Sequence, residues 1–419
     1  MGMTIIEKIL SRASGSEARA GARLWADLDL AVVRDFGGPN VVLEFQQFTG
    51  NGKVFDPNKV AMTFDYQAPA KDTKVANNQR LCREFAKEQG IEKVFDINQG
   101  IGQHVLLERG LIAPGSVVVG TDSHMNLLGA AGSFATGMGT TDMVAAWYAG
   151  RLWFRVPETL KVTVRGEYTY PASAKDLTLH FLKEVGTDRA NYMAIEFTGE
   201  TIGRLDLAGR LTLASMVTEI NGKIGFIAPD GDTLAWLRSR CPGSVEPVFP
   251  DADAGYRDEM VLDVSGLAPQ IACPHTPDNV KPVSEVSGRP FDCAFIGSCT
   301  NGRIEDLEAA ARIIDAGGGI APGIRLVVVP ATLEVAREAL VKGLYEIFMA
   351  HGVVVANPGC SLCTIGHHGV LGAGDVLLST SNRNYLGKLG KGSEVYLASP
   401  ATVAASCVRG VITDPREFQ

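Results

Sequence analysis

Cys293-Ala294-Phe295-Ile296-Gly297-Ser298-Cys299-Thr300-Asn301 decides the fold class of this chain. Four apolar residues in a row suit a short strand covered on both faces. The run stops at Gly297, and Cys299 follows in the turn. Outward from there, Glu305 to Ala316 has helical spacing, Arg325 to Val329 reads as a strand, and Leu333 to Leu344 as a helix. Val353-Val354-Val355, Val376-Leu377-Leu378 and Val395-Tyr396-Leu397 are further strands, and Pro400 to Val408 is a closing helix. Strands alternating with helices imply a parallel sheet with helical crossovers, so the expected class is α/β.

Ligands of such sheets gather beyond the carboxyl ends of the strands. Cys299, Cys360 and Arg383 each follow a predicted strand of this segment, so three stretches distant in sequence are expected along one edge. Near the N-terminus, Ser116-Val117-Val118-Val119-Gly120 likewise runs into Thr121-Asp122-Ser123-His124.

Composition bounds the rest. The 419 residues divide into two or three domains. The first α/β domain is expected over 1–165, a less regular second over 166–285, and a third over 286–419. A formal charge of −8 argues against a broad nucleic-acid surface, which would be basic. No apolar run approaches the ~18 residues of a membrane span, and the N-terminus lacks the pattern of a signal peptide. A cytoplasmic location is expected, where clustered thiols serve as ligands or catalysts rather than disulfides.

The paired Cys360-Ser361-Leu362-Cys363 suits a redox dithiol, a zinc knuckle or two ligands of an iron–sulfur cluster. Cys299 at a second strand end favours a three-thiolate site, which leaves one metal position open for catalysis. Cys82, Cys241, Cys273, Cys293 and Cys407 lack such context and read as small buried hydrophobes. In Asp122-Ser123-His124 the acid either orients the histidine or caps the next helix. Asp65, after the strand Val60 to Phe64, is a site acid or a turn former. Gln103-His104 is expected in a glycine-containing turn, and a lone histidine there is more often structural. The planar groups of Ser381-Asn382-Arg383-Asn384 suit a carboxylate, which arginine grips in a bidentate way. Gly137-Met138-Gly139-Thr140-Thr141-Asp142 begins like a dinucleotide loop, but the third glycine is missing and no strand is read as leading into it.

Together these motifs resemble the aconitase superfamily, in particular its isopropylmalate dehydratase and homoaconitase large-subunit branch. The resemblance runs along nearly the whole chain, from Val54-Phe55-Asp56-Pro57-Asn58-Lys59-Val60 and Arg83-Glu84-Phe85-Ala86 through Gly120-Thr121-Asp122-Ser123-His124 and Leu152-Trp153-Phe154-Arg155-Val156-Pro157. Gly297-Ser298-Cys299-Thr300-Asn301, Ser379-Thr380-Ser381-Asn382-Arg383-Asn384 and Tyr396-Leu397-Ala398-Ser399-Pro400 complete it.

The resemblance implies three α/β/α-type domains without the mobile fourth domain of full-length aconitases. It implies one [4Fe–4S] cluster per chain on Cys299, Cys360 and Cys363. It assigns acid–base work to Asp65, His104, Asp122, His124 and Glu219, and substrate binding to Arg383, Ser123 and Lys388. A separate small subunit carrying the mobile α/β domain is the implied partner, with a small di- or tricarboxylate as substrate and neither nucleic acid nor membrane. The expected reaction dehydrates and rehydrates a 2-hydroxy dicarboxylate, taking 2-isopropylmalate to 3-isopropylmalate. Citramalate, dimethylmalate or homoaconitate are alternative substrates, and a non-catalytic metal- or RNA-binding role is the alternative of another class. Departures from the family pattern keep these open: Tyr66 stands where a histidine is usual, Gln103-His104 reverses the usual order, and Ser215 replaces an asparagine. Lys388 replaces an arginine, and Ser361-Leu362 replaces Gly-Pro.

Overall fold

The computed structural model describes residues 2–365 and 369–418. Met1 and Gln419, the ends of the expected first and third domains, lie outside the described residues. The chain forms two compact units, one of Met1–Ile97, Gly102–Val164 and Ala190–Leu262, the other of Asn98–Ile101, Arg165–Arg189 and Asp263–Gln419.

The first unit carries β1 (Arg23–Asp27), β2 (Leu30–Arg34), β3 (Val60–Thr63), β4 (Val94–Phe95), β5 (Val117–Gly120), β6 (Phe134–Gly137) and β7 (Arg151–Arg155). β1 and β7 form an antiparallel ribbon. The other five form a sheet in the order β4-β3-β2-β5-β6, parallel throughout. Every residue of β2, β3 and β5 is buried, which explains their unbroken apolar runs. Trp147 stacks on Phe85 at 5.2 Å and meets Phe45 edge-on at 5.7 Å, anchoring the helices Gly38–Thr49, Thr73–Gln89 and Thr140–Ala149. Each such pair adds about 0.5–1.5 kcal/mol beyond area burial. A second sheet holds β8 (Thr159–Arg165), β9 (Ala194–Thr198), β10 (Ile224–Ile227) and β11 (Asp258–Asp263), in the order β10-β9-β8-β11.

The second unit holds β12 (Gln270–Ala272), β13 (Val280–Pro282), β14 (Cys293–Ile296), β15 (Arg325–Val328), β16 (Val354–Val355), β17 (Val376–Ser379) and β18 (Glu394–Ala398). Their order is β13-β12-β18-β17-β14-β15-β16. The five strands from β18 to β16 are parallel, as the C-terminal alternation predicts. β12 and β13 add an antiparallel edge from residues expected in the second domain. Pro282 is tolerated there because β13 is an edge strand and its missing N–H leaves no central ladder bond unmade. The helix expected from Leu333 to Leu344 is two helices, Leu333–Val341 and Leu344–Ala350. Gly343 at φ 73° breaks them, a left-handed conformation that glycine adopts without a Cβ clash.

No helix of the described residues is long and apolar enough to cross a membrane.

Candidate functional site

In the first unit, the chemistry collects beyond the carboxyl ends of β2, β3 and β5, which are adjacent and parallel. Arg34 is the last residue of β2, Asp65 follows β3, and Thr121 to His124 follow β5. Arg34 donates to Asp65 Oδ1 through Nε at 3.1 Å and Nη2 at 3.0 Å, and through Nη1 to Asp122. Its guanidinium also lies 4.6 Å from the centre of the Tyr66 ring. Gly102 N–H donates to the other Asp65 oxygen at 2.8 Å. Behind this group the Asp35 carboxylate accepts from the N–H groups of Asp65, Tyr66 and Gln67 at 3.2, 2.8 and 2.9 Å, and so shapes the turn that presents Asp65.

One guanidinium thus serves two carboxylates, and their affinities for a proton separate. Burial pushes Asp65 up to about 6, against the pull of Arg34, while the charges of Asp35 and Asp122 add to the rise. Burial acts on Asp122 too, but Arg34 and the bonds to His124 outweigh it and hold that acid far below the usual carboxylate range. As pH falls, the first proton therefore goes to Asp65.

Asp122 Oδ1 also accepts from His124 N–H at 2.8 Å, and a short 3₁₀ helix, Met125–Ala131, begins there. The acid does not cap that helix but ties down the backbone of His124 just before it, and it is a neighbour of the imidazole, whose Nδ1 lies 3.7 Å from it. His124 Nε2 and Glu219 Oε1 form a hydrogen bond of 2.8 Å, and Ser123 Oγ lies 3.2 Å from Nδ1. Thr218 hydroxyl donates to the Ser123 carbonyl at 2.9 Å, fastening the Glu219 segment to the histidine loop. Alongside runs an open groove of about 320 Å³ lined by Ser123, Thr136, Thr218 and Lys223, among others.

Two local expectations need correction. Gln103 and His104 lie not in a turn but in the first turn of the helix Gly102–Glu108, both buried. At seven residues that helix is too short to display a clear period. A strand, β6, does lead directly into Gly137-Met138-Gly139, and the helix Thr140–Ala149 follows it. The third glycine of a dinucleotide loop is still replaced, by Asp142 in the first helical turn.

In the second unit, Cys299, Cys360 and Arg383 follow β14, β16 and β17, three strands of one parallel array, as the strand-end rule predicts. Cys299 and Cys360 are buried and Cys363 is partly so. Asn382 Nδ2 donates to Cys299 Sγ at 3.1 Å. A hydrogen bond with Cys360 comes first among the causes that raise the Cys363 thiol well above its ordinary range, followed by burial. The charge of Cys360 and, more weakly, that of Cys299 add to the rise, and Lys388 opposes it, so Cys363 senses both other sulfurs. Each cysteine loop carries a buried serine in the left-handed region, Ser298 at φ 76° and Ser361 at φ 47°. Such conformations cost energy and cluster at functional sites. Ser361 thereby holds a backbone conformation open to glycine, the residue usual at that place in the family.

Among the described residues no three His, Cys, Asp or Glu side chains are grouped tightly enough to hold a single metal ion. A polynuclear cluster has another requirement, because its thiolates sit on different iron atoms. Three soft sulfur donors in the loops after β14 and β16, with Lys388 acting on Cys363, fit such a cluster by donor chemistry and charge. Of the amides expected to suit a carboxylate, Asn382 is spent on Cys299, and Asn384 donates to the carbonyls of Cys273 and Thr276 at 2.8 and 3.1 Å. Lys388 is buried, and its ammonium donates to the Arg383 carbonyl at 2.8 Å. Of the remaining cysteines, Cys82, Cys273, Cys293 and Cys407 are buried and Cys241 partly so.

Sequence reasoning missed Arg34, Asp35 and Lys175. Arg34-Asp35 closes the apolar run Leu30 to Val33, so the same strand-end rule points to it. Lys175, fully buried, donates to Thr300 Oγ1 and to the carbonyls of Thr380 and Ser381, and nothing local in the sequence signals this.

The model of the aconitase family (aconitate hydratase) matches residues 7–290 and 284–410. The chain belongs to the aconitase family. As an aconitase-family protein it is 46% identical over 419 residues to the 3-isopropylmalate dehydratase large subunit 1 of Methanopyrus kandleri, with 100% of both chains covered. It is 43% identical to a probable methanogen homoaconitase large subunit of Methanothermobacter thermautotrophicus, covering 99% of this chain and 98% of that one. The crystal structure of Thermococcus kodakaraensis aconitase X in its holo form shares the fold, with a TM-score of 0.50 and 14% identity over 90% of this chain and 89% of that one. The chain is therefore an enzyme of the aconitase-family hydro-lyase kind. Hydro-lyases of this family are generally iron–sulfur proteins.

Proposed function

We propose that this chain is the large subunit of a [4Fe–4S] hydro-lyase that interconverts 2-isopropylmalate and 3-isopropylmalate. The observation that carries the reading is full-length 46% identity to a 3-isopropylmalate dehydratase large subunit, together with cysteines at the ends of β14 and β16. Cys299, Cys360 and Cys363 are the proposed holders of the cluster. When bound, such a cluster supplies a Lewis-acidic iron that polarises a hydroxyl and a carboxylate of the substrate.

The residues of the chain have the following roles in this reading. His124, hydrogen-bonded through Nε2 to Glu219, holds the proton destined for the leaving hydroxyl. Asp122 stays ionised and fixes the histidine loop through its bond to His124 N–H. Asp65 is the acid of the pair that takes up a proton near neutrality. His104 supports this group from the neighbouring helix. Arg383 binds a substrate carboxylate, with Lys388 bracing its backbone and Ser123 presenting a hydroxyl at the groove. A small subunit carrying the mobile α/β domain completes the enzyme and supplies the base for the α-proton; the "large subunit" names of the relatives support the existence of such a partner.

Homoaconitate is the second reading of the substrate. Its support is 43% identity to a probable homoaconitase large subunit, together with the departures at Tyr66 and Lys388. The deciding experiment is a hydratase panel after anaerobic cluster reconstitution with the cognate small subunit. Preferred turnover of 2-isopropylmalate is the expected result. Preference for homoaconitate would move the assignment to that branch. Full activity of the isolated chain would overturn the two-subunit enzyme.

A further inference from the structure

Lys175 lies in the helix Ala174–Arg189 and is fully buried. Its ammonium donates to Thr300 Oγ1 at 3.3 Å, to the Thr380 carbonyl at 2.8 Å and to the Ser381 carbonyl at 3.0 Å. All three hydrogens are used, and every acceptor is neutral. Among the described residues Lys175 makes no ion pair, yet a buried ammonium without an anion costs several kcal/mol. Burial lowers its pKa to about 8, and Cys299, Asp306 and Cys363 are the ionisable groups nearby that oppose the fall. Asp306 is already engaged, accepting from Asn301 Nδ2 and from Arg303 N–H, both at 3.0 Å. As cluster ligands, Cys299 and Cys363 would be thiolates and would supply negative charge for Lys175 to balance.

The hydrogen bonds place the same residue mechanically. Thr300 follows Cys299, and its hydroxyl lies 2.8 Å from Asn382 Oδ1 and 3.0 Å from the Thr380 carbonyl. Asn382 in turn donates to Cys299 Sγ. Lys175 therefore ties the loop after β14 to the loop after β17 at the point where both reach one sulfur. We propose that Lys175 is the resident counter-cation of the thiolate cluster held by Cys299, Cys360 and Cys363, and the strut that keeps the Cys299 and Asn382 loops in register. This rests on the reading of those cysteines as cluster ligands.

A positive charge beside a thiolate cluster favours its more reduced, more negative states and its retention. The test compares wild type, Lys175→Met, Lys175→Arg and Cys363→Ser after anaerobic reconstitution. It measures iron and sulfide content, visible absorption, midpoint potential and the rate of cluster loss in air, and thermal melting of each apo chain. Lys175→Met should fold, show a midpoint potential more negative than wild type, and lose its cluster roughly tenfold faster, as outer-shell partners of metal sites do when removed. Lys175→Arg should restore most of the potential. A cluster equally retained and unshifted in potential in Lys175→Met would overturn the proposal. If Lys175→Met fails to fold, Lys175→Gln carries the comparison, since its amide still donates to a carbonyl without the charge. Unfolding of both apo chains would overturn the counter-cation role in favour of a purely structural one. A wild-type chain that takes up no cluster, or a Cys363→Ser chain that takes up as much as wild type, would refute the ligand reading itself.

Discussion

His124 Nε2 and Glu219 Oε1 meet at 2.8 Å although 95 residues separate them in sequence. The contact joins the loop after β5 to the 3₁₀ turn Val217–Ile220 within one unit. A histidine so held has a fixed ring orientation and a carboxylate to stabilise its charged form, as a proton carrier needs. His124→Ala should lower turnover by roughly 10²–10⁴ with little change in cluster content. Glu219→Gln, which keeps a hydrogen-bonding group but not the charge, should lose less. Steady-state kinetics on reconstituted enzyme, normalised to iron, is the check, and unchanged turnover in His124→Ala would reassign the residue to packing.

Arg34 is the sole cation bonded to both Asp65 and Asp122 among the described residues, and both of those acids lie at the same sheet edge. Arg34→Met should destabilise the folded chain by about 3–5 kcal/mol, the cost of leaving buried charge uncompensated. Adding Asp65→Asn should recover part of that loss. Urea unfolding of both variants measures it, and a cost below about 1 kcal/mol would mean that water already compensates the acids.

Burial raises Asp176 to about 6, despite hydrogen bonds from Gln270 N–H at 2.7 Å and from Ser173 N–H and Oγ at 2.8 and 2.9 Å. Its folded pKa lies above its unfolded value of 3.8, so the stability it contributes is complete below that value and is lost as pH rises through about 6. The swing is about 3 kcal/mol. Asp176→Asn should therefore cost more stability at pH 4 than at pH 7. Denaturant melts of both proteins at the two pH values test this, and an equal or smaller cost at pH 4 contradicts it.

Ser361 is held at φ 47°, where a Cβ crowds the backbone. Ser361→Gly should raise apo-chain stability by about 1 kcal/mol, and Ser361→Val should lower it. Thermal melts read both signs, and a destabilised glycine variant would show that the serine hydroxyl outweighs the relief of strain.

Cys299→Ser, Cys360→Ser and Cys363→Ser should each abolish the visible absorption of the reconstituted chain. Cys82→Ser and Cys407→Ser, at buried positions away from the strand-end motifs, should leave it in place. Retained absorption in any of the first three removes that cysteine from the ligand set.

The sequence alone was enough for the α/β class, the order of elements in the C-terminal third and the strand-end positions of Cys299, Cys360, Arg383, Asp65 and Asp122. The reason is local: four-residue apolar runs, helical spacing and the glycine turns after strands each span fewer than about twenty residues. Family resemblance added roles for His124 and Glu219 that no spacing reveals. Tertiary structure decided what touches what. The parallel packing of β3, β2 and β5 brings Arg34 between two acids, and β17 beside β14 brings Asn382 to Cys299 and both loops to Lys175. These contacts join residues from 31 to 206 positions apart. A buried charge is stable only where distant groups compensate it, and a linear sequence does not say which strands will lie side by side to provide them.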